Sequence, residues 1–418
     1  MAEGSPRSIV QMSRHAAVEV DLDAIAANVR ALAALAPRSS VCAVVKADGY
    51  GHGAVQVARA ALAGGADRLA VAVVEEGQQL RDHGIEVPVL LLSEPPPDAM
   101  SAAHAAGLTP LVYTPEGIDA AAAAARGASR PWSVHLKVDT GMHRAGADPR
   151  DAVALAGRIA AAPSLRLAGT ATHLAAADEP ERHVTAEQLC RFREVLADLC
   201  RAGIDPGVRH AANSAGLIAH PDSHLDLVRP GISIYGLPPS PSLRGRVPLR
   251  PAMTVRARVS LVRDVDKGEG VSYGLRHVFD EPARLAVVPL GYADGVPRRL
   301  GTAGGEVLIG GVRRPIRGVV TMDHLMVEVT GGPAVRPGDE VVLIGRQGGE
   351  HRVAHFKRRG DRHDAAPGGL RRLGRAGTKS MSGSTNPFPN PIARAARKSP
   401  AKCRWGGFRS GPPRTGRG

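Results

Sequence analysis

Cysteine is scarce: Cys42, Cys190, Cys200 and Cys403 are the four in 418 residues, with no CxxC or paired spacing. Neither a disulfide framework nor a structural zinc site is expected from that pattern, and a reducing cytoplasm suits it. Long apolar runs are missing as well. Nothing approaches the roughly 18 consecutive apolar residues of a membrane-spanning helix. The opening MAEGSPRSIVQMSRHAAVEVDLD lacks the apolar centre of a secretory signal. Aromatic residues make up only 3% of the chain, which makes the position of each of its five tyrosines informative.

Acidic residues are scarce at the C-terminal end. From Arg346 to Gly418 there are 18 Lys and Arg against 3 Asp and Glu, so the formal charge of +14 comes from that end. The preceding 345 residues carry 36 basic and 37 acidic side chains. A basic tail can hold polyanions without sequence preference. The body has no basic stripe or nucleic-acid motif, so nucleic acid is not the expected partner.

Hydrophobic residues at 43% and charged residues at 22% are those of an ordinary soluble chain. Residues 15–245 alternate short β-branched runs with alanine-rich helical stretches. VCAVVK (41–46), LAVAVV (69–74), VPVLLL (87–92), PLVY (110–113), VHLKVD (134–139), RLAGTATH (166–173), VRHAAN (208–213) and LDLVRPGISIYG (225–236) read as strands. Strand–helix alternation argues for a parallel sheet, and about eight units suit an α/β fold of the (β/α)8 TIM-barrel type. A doubly wound sheet is the alternative, but no GxGxxG follows a strand. Residues 246–347 change to alternating strands and Gly/Pro turns, a small antiparallel β domain. Residues 1–14 form an extension, and 348–418 have the Gly/Pro/Ser/Arg composition of a disordered tail.

Barrel active sites lie at the C-terminal ends of the strands. Those ends carry Lys46, Lys137 and Asp139, His173, Asn213 with Ser214, and Arg229. A lone strand-end lysine is usually a solvated charge; several such groups together point to one mouth. Lys46 follows an apolar run, and desolvation lowers a lysine's pKa, making it a candidate Schiff-base former with an aldehyde cofactor. GYGHG (49–53) and RPGIS (229–233) have the glycines to bring backbone N–H groups to a phosphate, although either alone reads equally as a flexible loop. Tyr50 sits four residues beyond Lys46. Tyr273, in GVSYG, lies beside glycines rather than in an apolar run, and is a candidate acid–base group if it faces the barrel mouth.

Together these segments resemble the alanine racemase family, pyridoxal 5′-phosphate enzymes of fold type III. AVVKADGYGHG (43–53) is similar to the family's cofactor-lysine signature. HLKVDTGMHRAG (135–146), THLAAADEP (172–180), HAANSAG (210–216), VRPGISIYGL (228–237), VSYG (271–274), GYADGVPR (291–298) and TMDHLMVEV (321–329) follow in the family's order. The resemblance implies that Lys46 holds the cofactor, that Tyr50, Ser214, Gly231 and Ile232 bind its phosphate, that His173 packs beside the ring, and that Arg229 meets the ring nitrogen. It implies two bases for L- and D-alanine, Lys46 and Tyr273, the latter from the second subunit of a homodimer. Arg144 and the backbone of Met322 match the holders of the substrate carboxylate. Lys137 matches a lysine often carbamylated, while Tyr292 and Asp323 belong to the substrate entrance.

One departure stands out. No tyrosine follows Tyr292, and the composition changes at about Gly349, where family members add strands and a phosphate-binding tyrosine. A weakly active or inactive homologue, or a racemase of another small amino acid, is therefore the alternative reading. A fold-type III decarboxylase lacks support because Cys403 sits in the basic tail. A non-catalytic cofactor carrier would keep Lys46 without needing Tyr273.

Overall fold

A computed structural model describes residues 15–352. Its first strand, β1 (Ala16–Val20), is followed by the helix Leu22–Ala33, whose Asp21 side chain caps the Ala24 N–H at 2.8 Å. Eight parallel strands then alternate with helices: β2 (Ser40–Val44), β3 (Arg68–Val71), β4 (Val89–Leu91), β5 (Thr109–Val112), β6 (Trp132–Lys137), β7 (Leu165–Ala171), β8 (Val208–His210) and β9 (Leu227–Val228). They pair in the order β8-β7-β6-β5-β4-β3-β2-β9. The ring is closed by two backbone bonds, Asp226 N–H to the Arg209 carbonyl and Arg229 N–H to that of Ala212. This is the TIM-type barrel that the strand–helix alternation predicts.

Successive residues of each strand face opposite sides, and in a barrel both sides are buried. In β2 and the residue after it, Cys42 and Val44 cluster inside with Ala70, Leu90 and Leu227, whereas Val41, Ala43 and Val45 pack outward with the helices. That double burial explains why VCAVV is apolar throughout.

The sequence assigns everything from residue 15 to the barrel, but β1 pairs antiparallel with β10 (Met253–Arg258) in the other sheet. Val18 and Ala16 bury their side chains there, so apolar burial draws the strand away from the barrel. The rest of that region comprises β11 (Leu261–Val265), β12 (Gly270–Val271), β13 (His277–Val278), β14 (Ala283–Val288), β15 (Glu306–Ile309), β16 (Val312–Arg317), β17 (Leu325–Glu328), β18 (Glu340–Gln347) and β19 (Glu350–Arg352). The pairings among them, apart from the β12–β13 ribbon, join one antiparallel sheet in the order β1-β10-β18-β15-β16-β17-β14-β11, with β19 on β18. Strand structure thus continues past Gly349. The rest of the expected tail and the whole N-terminal extension, residues 1–14, lie outside the described residues.

The barrel is tied to the start of the β domain by a buried amide. Asn28 donates through Nδ2 to the Ile234 and Arg250 carbonyls, at 3.1 and 2.8 Å, and accepts the Arg250 N–H at 2.8 Å. Beside it the chain turns at Gly236 (φ 88°), where a Cβ would lie 2.0 Å from the Arg250 oxygen. Only glycine fits both the dihedral and the contact.

Candidate active site

β2 ends two residues before Lys46, and the chain then reverses in a left-handed turn: Ala47 (φ 52°), Asp48 (52°), Gly49 (61°), Tyr50 (52°) and Gly51 (80°). A residue with a Cβ pays about 1–2 kcal/mol in this conformation, so Ala47, Asp48 and Tyr50 together store roughly 3–6 kcal/mol. Hydrogen bonds offset it. Asp48 Oδ1 accepts the Ala54 N–H at 2.8 Å, and Glu76 Oε1 accepts the Ala47 N–H at 2.6 Å. The turn sends the Tyr50 hydroxyl back to Gly231, where a Cβ would lie 2.8 Å from it.

Lys46, Tyr50, Lys137, Arg144, His173, Ser214, Arg229, Gly231 and Ile232 line one cavity of about 510 Å³ with Thr172 and Asn213. Each comes from the C-terminal end of a barrel strand or the loop after it. Four of the lining residues are cationic, Lys46, Lys137, Arg144 and Arg229, and none is acidic. Ser214 is buried, and its Oγ accepts the N–H groups of Gly231 (2.8 Å) and Ser233 (3.3 Å). These amides therefore converge beside the Tyr50 hydroxyl at the start of the turn Ile232–Tyr235.

Burial shapes the charges. It lowers the Lys46 amine from the usual lysine range, helped by the Arg144 cation and opposed by Glu76. Lys137 is pulled down to about 8 by burial, then by Arg144 and Arg229; its ammonium sits 5.9 Å from the Tyr113 ring centroid and donates to the Leu92 carbonyl at 3.4 Å. Burial likewise raises the Tyr50 phenol, which stays protonated. Behind Arg144, the Asp139 carboxylate accepts the N–H groups of Gly141, Met142, His143 and Arg144 at 2.8–3.1 Å. Burial pushes that carboxyl up, but these four donors outweigh it and hold it below its ordinary value. Asp139 is thus a builder of the Arg144 loop.

Arg229, buried in the barrel, donates to His210 Nδ1 (2.8 Å), the Thr172 and Ala211 carbonyls (2.9 and 3.1 Å) and His173 Nδ1 (3.4 Å). His210 Nε2 lies 2.8 Å from His135 Nδ1. A guanidinium only donates, which places the His210 proton on Nε2, from where it is donated to His135. Burial, then the Arg229 charge, presses His173 down to about 3; burial, then Arg68 and Arg229, does the same to His135. The imidazoles are neutral, and Arg229, lowered only to about 10 by burial, keeps its charge.

Tyr273, Tyr292, Met322 and Asp323 are not in this lining. They belong to the β domain. Tyr273 is 65% exposed, at the edge of a separate groove of about 800 Å³ lined in part by Val271, Ser272, Thr321 and His324. Its turn begins at Ser272 (φ 67°), whose hydroxyl donates to the Val319 carbonyl. Met322 and Tyr292 are also exposed, linked by the bonds Tyr292 N–H to Thr321 O and Ala293 N–H to Met322 O.

Glu76, His135, His210 and Tyr113 were not among the residues singled out from the sequence. Glu76 alone left a trace: a glutamate in the first turn of a helix, three residues after a Val73 that has no side-chain cap to offer.

Comparison with known proteins agrees with the geometry. Residues 20–239 match the family Alanine racemase, N-terminal domain, and residues 252–363 match Alanine racemase, C-terminal domain, the second running past residue 347. The alanine racemase of Symbiobacterium thermophilum is 48% identical over 336 residues, 80% of this chain and 89% of that protein. That of Thermobifida fusca is 47% identical over 338 residues, again 80% and 89%. Among solved structures, alanine racemase from Streptomyces lavendulae superposes with a TM-score of 0.76 at 42% identity, covering 80% of this chain and 89% of that one. The E. faecalis enzyme gives 0.79 at 32% identity, covering 88% and 99%.

Proposed function

The chain belongs to the alanine racemase family, and from that we propose how its cavity and its β domain share the reaction. The enzyme is an amino-acid racemase that interconverts L-alanine and D-alanine with pyridoxal 5′-phosphate as cofactor. The observation that carries these roles is the cavity lining, in which Lys46 stands with three further cations, Lys137, Arg144 and Arg229, and with no acidic residue. A phosphorylated aldehyde and an amino acid's carboxylate are both anions, and such a lining attracts both.

The residues fit the cofactor. Gly231 leaves open the space a Cβ would fill against Tyr50, and backbone N–H groups gather around Ser214. Tyr50, Ser214, Gly231 and Ile232 would hold its phosphate, Lys46 its aldehyde carbon, Arg229 its ring nitrogen and His173 one ring face. When bound, pyridoxal phosphate supplies an electron-withdrawing ring that acidifies the substrate's Cα–H.

The chain's own groups then move the proton. Lys46 Nζ, desolvated and beside Arg144, takes the Cα proton of D-alanine on one face and returns one there. Tyr273 Oη does the same for L-alanine on the opposite face, because one base cannot serve both sides. Arg144 and the Met322 backbone hold the substrate carboxylate. Arg229 cannot release its proton to a ring nitrogen, which limits competing chemistry such as transamination. Lys137, partly neutral near pH 8, attacks carbon dioxide: an N–C bond forms, the amine proton leaves to solvent, and the resulting carbamate anion orients Arg144.

Tyr273, Met322, Tyr292 and Asp323 lie outside the chain's own cavity, which supports a homodimer in which each β domain completes the partner's site. Tyr292 and Asp323 then form the entrance. The cytoplasm is the proposed compartment, since Cys42, Cys190 and Cys200 are unpaired thiols, and the D-alanine made there serves peptidoglycan. No helix among the described residues is long and apolar enough to cross a membrane.

The test is an absorbance scan of the purified holoenzyme followed by L-alanine addition and chiral product analysis. A cofactor band near 420 nm, an approximate expectation, together with D-alanine supports the reading. A protein that binds no cofactor and makes no D-alanine overturns it.

A further inference from the structure

One acidic side chain reaches toward the cavity from behind. Glu76 stands in the first turn of the helix Val74–Asp82, after β3. Its Oε2 accepts the Ala72 N–H at 2.8 Å and the Val73 N–H at 3.4 Å, as a helix-terminal carboxylate ordinarily does. Its other oxygen, Oε1, crosses to the neighbouring strand's loop and accepts the Ala47 N–H at 2.6 Å, 29 residues away in sequence. Ala47 is the residue after Lys46 and the first of five consecutive residues at positive φ. One carboxylate thus joins the start of a helix to the start of the strained turn behind the lysine.

We propose that Glu76 is a positioning residue for Lys46: its carboxylate clamps the left-handed turn that follows the lysine and sets a negative charge among the cations around that amine. This rests on the reading of Lys46 as cofactor holder and base. Geometry and charge act together. Without the clamp, Ala47, Asp48 and Tyr50 lose one of the bonds that offset their conformation, so Lys46 and the Tyr50 hydroxyl both lose their fixed place. Without the charge, Arg144 and burial act on the amine unopposed; Glu76 is the group that raises its proton affinity against them.

The two contributions separate in variants. Glu76→Gln keeps the size and removes the charge; Glu76→Asp keeps the charge and shortens the reach. In the full-length holoenzyme we expect hydrogen exchange of the peptide spanning 47–53 to quicken in both. The acid limb of kcat for D-alanine, which reports the substrate complex in which the Lys46 amine is free to act as base, moves to lower pH by roughly 0.5–1 unit in Glu76→Gln and stays in place in Glu76→Asp. Bound cofactor, read by absorbance, dissociates about tenfold faster in Glu76→Gln.

A helix cap with no part in the site would lower thermal stability without moving the acid limb or the exchange of 47–53, and that result overturns the proposal. Lys46→Ala serves as control. If it is inactive while Glu76→Gln matches the wild type in limb and exchange, the Glu76 proposal fails alone. If it still racemises alanine, the reading of Lys46 fails and the proposal falls with it.

Discussion

The two proposed bases are unlike in their surroundings. Lys46 is a desolvated amine amid cations, whereas Tyr273 stands in the open on its own chain. Tyr273→Phe removes only a hydroxyl and is expected to cut kcat by about 10²–10⁴-fold, with the cofactor spectrum unchanged; steady-state kinetics beside an absorbance scan checks both halves. Lys137 offers a second residue-scale test. With its amine near 8, it loses a proton at mildly alkaline pH, and intact-protein mass spectrometry in bicarbonate is expected to show one added carbon dioxide, lost on acidification. The modification should be absent from Lys137→Arg.

The buried imidazoles set the acid side of stability. His135 and His173 are held at about 3 when folded, against about 6.5 in an unfolded chain. Between those values the unfolded state binds more protons, so stability falls as pH drops through that window and is unaffected by these groups above it. His135→Gln, which can still accept from His210, is expected to flatten the fall of Tm between pH 6.5 and 4.5. Equal slopes in variant and wild type would contradict this. The strand-end positions of His173 and Arg229 could be read from the sequence. Their hydrogen-bonded chain through His210 to His135 could not, because those residues look like ordinary members of two apolar strands until the barrel brings β6, β8 and β9 together.

At the scale of elements, the join between the helix Leu22–Ala33 and the segment leading into the β domain depends on one amide. Asn28→Ala leaves the Ile234 carbonyl and both Arg250 backbone groups without their partner. A loss of about 2–4 kcal/mol follows from unsatisfied buried polar groups, measurable by urea unfolding. Activity should fall as well, since the Asn28–Ile234 bond holds the turn Ile232–Tyr235, whose first residue lines the cavity. Most elements were legible because most barrel strands are apolar runs bounded by turn residues and several of the helices between them are alanine-rich. β1 was not: its alternation AAVEV suits either sheet, and only the apolar face offered by Val255 and Ala257 decides its place.

For the whole molecule, the prediction concerns assembly. If each site takes Lys46 from one subunit and Tyr273 from the other, mixing inactive Lys46→Ala with impaired Tyr273→Phe under conditions of subunit exchange restores activity. Random pairing makes half the dimers hybrid, each with one intact site, so recovery approaches about one quarter of wild type. Hybrid dimers demonstrated by differently tagged chains, yet no more active than the parents, would show that the site is not shared.

The sequence by itself determined the alternation of strands and helices, the change of grammar near residue 246, and which residue types stand at the strand ends, because period, glycine placement and local composition are short-range properties of the chain. It also carried the ordered motifs that mark the family. Tertiary structure decided the rest: that residues as far apart as 46 and 232 line one cavity, that Glu76 reaches Ala47, and that Tyr273 stands outside its own chain's site. Those are distances set by barrel closure and burial, and no local pattern contains them.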